Sequence, residues 1–185
     1  YATSDSSDGK FFDSDYTEAV LGCAYRPVHH DRLNALLKYT YFYNLPSTDQ
    51  EPGTDAGVIQ RSHIGSVDIM YDLTHRWSLG GKYAYRHGQV AQDREDPEFF
   101  DSRANLYVLR ADWHFVHRWD ALFEARALDL PDAQDSRSGA LLGIYRHLGN
   151  HIKMGVGYNL SDFSDDLTQL DYKHQGLFIN LIGKY

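Results

Sequence analysis

A two-residue period runs through most of this chain and sorts its side chains by polarity. From Ala104 to Val116, Tyr107, Leu109, Ala111, Trp113 and Phe115 fall on one face, and Arg110, Asp112 and His114 fall on the other. From Ile152 to Leu160 the same alternation sets Ile152, Met154, Val156, Tyr158 and Leu160 opposite Lys153, Gly155, Gly157 and Asn159. Successive side chains of a strand point to opposite sides of its sheet, so each such segment has an oily wall and a wet wall. The pattern implies an all-β chain. Which wall faces inward separates a soluble barrel from a membrane one.

Nine strands are expected, at Tyr16–Val28, Leu33–Leu45, Ser62–Leu73, Trp77–Gly88, Ala104–Val116, Asp120–Leu128, Ser138–Leu148, His151–Leu160 and Gly176–Tyr185. No helical period competes over a comparable length, and no stretch approaches the ~18 apolar residues of a transmembrane helix. A length of 185 residues suits a single domain, 1–185. The negative mean hydropathy is compatible with a membrane barrel, because only alternate residues meet lipid. The connections alternate. Those near His29–Arg32, Thr74–Arg76, His117–Trp119 and Gly149–Asn150 are tight, and those at Pro46–Arg61, Gln89–Arg103, Asp129–Arg137 and Ser161–Gln175 are long. Outer-membrane barrels have this asymmetry, with turns in the periplasm and loops outside the cell.

Charge and aromatic placement point the same way. Apart from Tyr and the single Cys23, the alternate apolar-face residues from Ala19 to Tyr25, Leu33 to Tyr43, Val67 to Leu73, Leu79 to Tyr85 and Leu177 to Tyr185 carry no ionisable group. The opposite faces supply the candidate lumen-lining residues Arg26, Lys38, Asp68, Lys82, Arg86, Arg110, Asp112, Glu124, Arg126 and Lys153, with Glu18, Asp72 and Lys184 on the same side. Assigned by face, eight bases meet five acids, while the loops hold most of the remaining Asp and Glu. A chain of net charge −8 therefore hides a mildly basic interior under an acidic crown. Tyr and Trp crowd the strand ends (Tyr16, Tyr25, Tyr41, Tyr71, Trp77, Tyr85, Trp113, Trp119, Tyr158), where interfacial girdles belong. The expected fold is an antiparallel, transmembrane, up-and-down β-barrel.

The last segment, Gly176-Leu-Phe-Ile-Asn-Leu-Ile-Gly-Lys-Tyr185, ends on an aromatic with apolar residues at alternate positions. It resembles the C-terminal strand signal read by the outer-membrane assembly machinery, with Leu177, Ile179, Leu181 and Tyr185 on the positions that carry it. Gly183 departs from that pattern, standing where a larger apolar residue is usual. From about Ala104 to Tyr185, including Gly155-Val-Gly-Tyr-Asn-Leu-Ser-Asp-Phe-Ser-Asp-Asp-Leu-Thr, the chain resembles the C-terminal barrel region of large Gram-negative surface proteins that carry extracellular repeats. That resemblance implies an outer-membrane location and a barrel fold. With Tyr185 in the periplasm, residues 1–15 form an extracellular segment. Nine strands do not match the even count of single-chain bacterial barrels. An upstream strand is thus expected to be missing, and the chain reads as the C-terminal portion of a larger even-stranded barrel.

Motifs for chemistry are sparse. The ten His include no HExxH or paired-ligand spacing. Ser62, His63 and Asp68 could be pieces of a barrel-wall hydrolase, but no nucleophile motif accompanies them. The acidic loop with Asp162, Asp165, Asp166 and Asp171 has the oxygen ligands that Ca²⁺ takes but lacks the EF-hand Gly and terminal Glu. No catalytic residue, cofactor or metal is assigned. The repeated His-Arg-Trp at His75–Trp77 and His117–Trp119 fits Arg in the headgroup region beside an anchoring Trp. The leading expectation is a membrane anchor or export domain for a surface-exposed protein. Alternatives are a porin-like channel with weak anion preference and a soluble lipocalin-like binder. Expected partners are outer-membrane lipid and lipopolysaccharide, the barrel assembly machinery, and an upstream passenger or another surface protein; no nucleic acid is expected.

Overall fold

The computed structural model describes residues 17–43, 59–91, 98–116, 118–149, 151–163, 167 and 175–183. Nine strands follow one another: β1 (Thr17–Tyr25), β2 (Leu33–Tyr43), β3 (Ile59–Asp72), β4 (Trp77–Ala91), β5 (Phe100–Val116), β6 (Trp119–Leu130), β7 (Asp135–Leu148), β8 (Ile152–Asn159) and β9 (Gly176–Gly183). Each pairs antiparallel with the next, giving one up-and-down sheet in the order β1 to β9. None of the described residues is helical. Among them β1 and β9 each pair on one side only, and not with each other.

The register keeps like faces together. One row runs Leu37, Val67, Tyr83, Tyr107, Ala127 across five strands. The neighbouring row on the other face runs Asp68, Lys82, Val108, Arg126. The oily row is the outer one: Leu109 is 70% exposed, whereas Leu106, on the opposite face of the same strand, is wholly buried. A soluble barrel has its oily row inward, so the exposed outer row argues against the lipocalin-like alternative. That the sheet is rolled follows from a contact between distant parts. The Arg86 guanidinium on β4 donates to the carbonyl of Leu167, in the connection after β8 (3.2 Å).

The outer band is bounded by aromatics. At the end where the tight turns lie, Trp77 stacks on Trp113 at 5.3 Å and 9°, and Trp113 meets Phe115. Toward the other end Tyr83 meets Tyr107, and Tyr39 and Tyr41 flank His63. On β5 the apolar outer stretch from Tyr107 to Phe115 matches the roughly 9–11 residues by which a tilted strand crosses a bilayer core.

Beyond that band the strands run further than the apolar alternation alone indicates. β3 begins at Ile59, β4 reaches Ala91, β5 starts at Phe100 and β7 at Asp135. Their outer residues here are polar and are tied strand to strand. Arg61 donates to Gln89 and Gln89 to Asp101; Tyr83 donates to Asn105 and Asn105 to Asp129. Polar cross-strand ladders take over where the sheet leaves the apolar zone. The segment Asp129–Arg137, read from sequence as a long loop, is a turn of four residues, Pro131 to Gln134, closed by Ala133 N–H to Leu130 O and Gln134 N–H to Pro131 O. Asp132 in that turn accepts from the backbone N–H and guanidinium of Arg103 (2.6 and 2.5 Å), which holds its carboxyl below the ordinary carboxylate value. The clamp is fully made at neutral pH and lost only as the pH falls through that lowered value.

Inside, two aromatic rings, Tyr145 of β7 and Phe178 of β9, press against glycines of β8. A Cβ built on Gly155 would sit 2.1 Å from Tyr145 Cδ1, and one on Gly157 would sit 2.4 Å from Phe178 Cζ. Gly155→Val is therefore expected to lower stability by about 1–3 kcal/mol through overpacking. Gly65→Val on the outer face, where a Cβ meets nothing within 4 Å, should be near neutral. Urea titration of the two variants in lipid vesicles checks this; equal midpoints would contradict the packing.

Candidate functional site

The interior divides into two halves of different chemistry. Toward the tight turns it is ionic. Glu124 on β6 has a side chain 1% exposed and takes Arg110 from β5 on one oxygen (Nε 2.8 Å) and Arg126 on the other. Asp68 stands opposite Lys82 in the register of β3 and β4, and Asp112 opposite Leu122 in that of β5 and β6. One step further toward the turns, Asp120 accepts from Lys153 on β8 and hydrogen-bonds His114 on β5 and His147 on β7. A single carboxylate thus ties four consecutive strands. Lys153 Nζ also lies 4.9 Å from the centre of the Tyr145 ring, so the ring that Gly155 accommodates helps seat this cation.

At the turn end the interior opens into a polar recess of about 420 Å³ lined by Arg26, Asp31, Arg32, Asp72, Thr74, His75, Ser78 and His114. Ser78 donates to Asp72 across the β3–β4 turn, which Thr74 closes by accepting from the backbone of Arg76 and Trp77.

The other half is apolar. Phe42, Ile64, Ala84, Ala104, Leu106, Val108, Leu128 and Leu130 form one buried cluster with Phe163 and Leu167. Arg86 is embedded in it at 2% exposure. Its Nε donates to Ser62 Oγ (3.1 Å) and its Nη1 to Leu167 O, and its guanidinium lies over the Phe42 ring.

Of the residues picked from sequence, Asp68, Lys82, Arg86, Arg110, Asp112, Glu124, Arg126, Lys153 and Lys38 occupy inward positions of the sheet. Arg110, Glu124 and Arg126 form one group, whereas Arg86 stands apart among apolar neighbours. Arg26 falls after the end of β1 and lines the turn-end recess rather than the strand wall. Leu177, Ile179 and Leu181 form the exposed outer row of β9; Tyr185, Lys184, Asp165, Asp166, Asp171 and residues 1–15 lie outside the described residues. Ser62 and His63 do not converge: Ser62 points inward to Arg86, and His63 points outward to Tyr39. Asp120, His147 and the buried pair Phe163 and Leu167 were not foreseen as interior groups. Asp120 and His147 lie within the expected strands and on the inward alternation of β6 and β7, so carrying the face assignment to the turn ends of those strands would have found them. Nothing in the acidic connection after β8 signalled its apolar insertion.

No family model and no curated protein matches the chain. Solved structures do. The NanC porin, in a rhombohedral crystal form, superposes over 92% of this chain and 94% of its own, with a TM-score of 0.54 at 10% identity. The TodX deltaS2S3 mutant, a monoaromatic hydrocarbon channel, aligns over 89% of this chain and 59% of its own, at TM-score 0.49 and 13% identity; at that score it adds nothing to the argument. At such identities the likeness speaks for architecture alone: the chain has the antiparallel β-barrel fold of a porin.

Proposed function

We propose that this chain is an outer-membrane β-barrel of a Gram-negative bacterium that works as a channel for small solutes, without catalysis, its long connections facing outward and its tight turns the periplasm. The observation that carries the reading is the pairing of two surfaces on one sheet. An exposed apolar band framed by aromatics suits lipid, and behind it stands an ionic interior opening into a recess lined by Arg26, Arg32 and His75 together with Asp31 and Asp72. The porin-type fold supports it. Rings of Arg and Lys favour anions. Planar-bilayer recordings under a salt gradient are expected to show a reversal potential on the anion side, moved toward zero by Arg26→Gln with Arg32→Gln. Cation preference would overturn the assignment of the lining.

One observation favours a second reading, that of an anchor or export domain for a surface-exposed protein. The interior half away from the turns is filled by the apolar cluster that Phe163 and Leu167 complete. Absence of conductance from correctly inserted protein would support the anchor over the channel.

A further inference from the structure

We infer that the apolar half of the interior holds a binding site for an amphipathic monocarboxylate, with Arg86 and Ser62 taking the head and Phe42, Ile64, Leu106 and Leu128 the body. The inference rests on the channel reading for its route of access and deepens it by naming a solute class. Arg86 is the starting point. It is 98% withdrawn from solvent by its exposure of 2%, and its contacts are two neutral oxygens and a ring, with no carboxylate in ion-pair reach among the described residues. Of the other inward arginines of the wall, Arg110 and Arg126 share Glu124 and Arg137 pairs with Asp135. A buried guanidinium without a counter-ion is strongly unfavourable, so this position favours an incoming anion.

What occupies the site now has the shape of such a ligand without its charge. Leu167 supplies a carbonyl to Arg86, and the Leu167 and Phe163 side chains, each 1% exposed, supply the apolar body. They are held there at a cost. Leu167 sits at φ 60°, in the left-handed region that side chains other than glycine rarely adopt. Earlier in the same connection, Ser161 Oγ is buried with no hydrogen-bond partner and is pressed closely on Gly139 of β7. A carboxylate would offer Arg86 a full charge and two acceptor oxygens in the fork geometry that guanidinium prefers. An aromatic or branched alkyl body could replace Phe163 and Leu167 against the same walls. One cation specifies one negative charge.

Calorimetric titration of the full chain in phosphatidylcholine nanodiscs tests this, using 3-phenylpropionate and its neutral analogue 3-phenylpropionamide. The parent is expected to bind the acid about tenfold more tightly than the amide, the scale of one charge-assisted hydrogen bond. Arg86→Met should abolish that preference, and Arg86→Lys should retain part of it, which keeps the test decisive if the methionine variant does not fold. Equal affinity for acid and amide in the parent, no binding of either, or a preference that survives Arg86→Met would overturn the site. Conductance of the same protein in planar bilayers is read separately: a barrel that conducts but does not discriminate overturns the ligand class alone, and one that discriminates but does not conduct overturns the channel.

Discussion

Arginine in place of Leu109 is expected to cost the inserted fold about 2–4 kcal/mol, as lipid-facing charges do near the bilayer midplane. Leu109 lies between Tyr107 and Trp113 on the outer row of β5 and is 70% exposed, so its replacement would meet hydrocarbon rather than water. Leu36 is the control. It is apolar and 45% exposed, but occupies an inward position opposite Asp68, and Leu36→Arg should be tolerated. Urea-dependent folding into lipid vesicles measures both. If Leu109→Arg inserts as well as the parent, the outward face is not the lipid face.

Truncating Glu124 to alanine should be the most damaging change to the interior. Arg110 and Arg126 would be left facing each other across a space that their shared acceptor had neutralised. Breaking a buried pair costs more than the pair itself is worth, because the remaining charge is stranded. Arg110 retains 36% exposure, and water there screens part of the loss, so about 3 kcal/mol is expected rather than more. The triple variant Glu124→Leu, Arg110→Met, Arg126→Met should regain most of it, since an apolar replacement of similar volume strands nothing. A triple variant no more stable than Glu124→Ala would mean that the ionic group contributes through something other than mutual neutralisation.

The division of each strand into an inner and an outer face was legible in sequence because it depends only on alternation, and Tyr107, Leu109 and Trp113 against Arg110 and Asp112 show it without any tertiary knowledge. Strand ends were less legible. Gln89 and Val90 pair with the start of β5 and Ala91 with the start of β3, yet the polar outer residues there break the oily alternation that marked the strand further in. The turn at Pro131 looked like a loop for the same reason, as its flanking residues Asp129 and Asp135 continue the ladder but are polar. The interior chemistry was half visible. Face assignment identified Arg110, Glu124 and Arg126, but not that two guanidiniums converge on one carboxylate, which is a matter of register. Arg86 was counted as one more lumen charge. Its seclusion depends on Phe163 and Leu167, two apolar residues in an acidic connection, whose insertion is a long-range event with no local signature.

The order of charges along the inner wall also bears on how such a sheet reaches its pairing. Moving one strand by a single residue against its neighbour would turn its oily face inward, an error that lipid itself rejects. Moving it by two residues preserves both faces, and hydrophobicity is blind to that mistake. The inner ladder is not. With β5 displaced by two against β6, the glutamate that receives Arg110 would face Val108 or Asp112, and His114 would lose Asp120. Each displaced pairing leaves an unmatched charge at a wall position where neighbours are close. The ionic rows therefore act as a vernier, distinguishing the correct alignment from alternatives that look equally greasy.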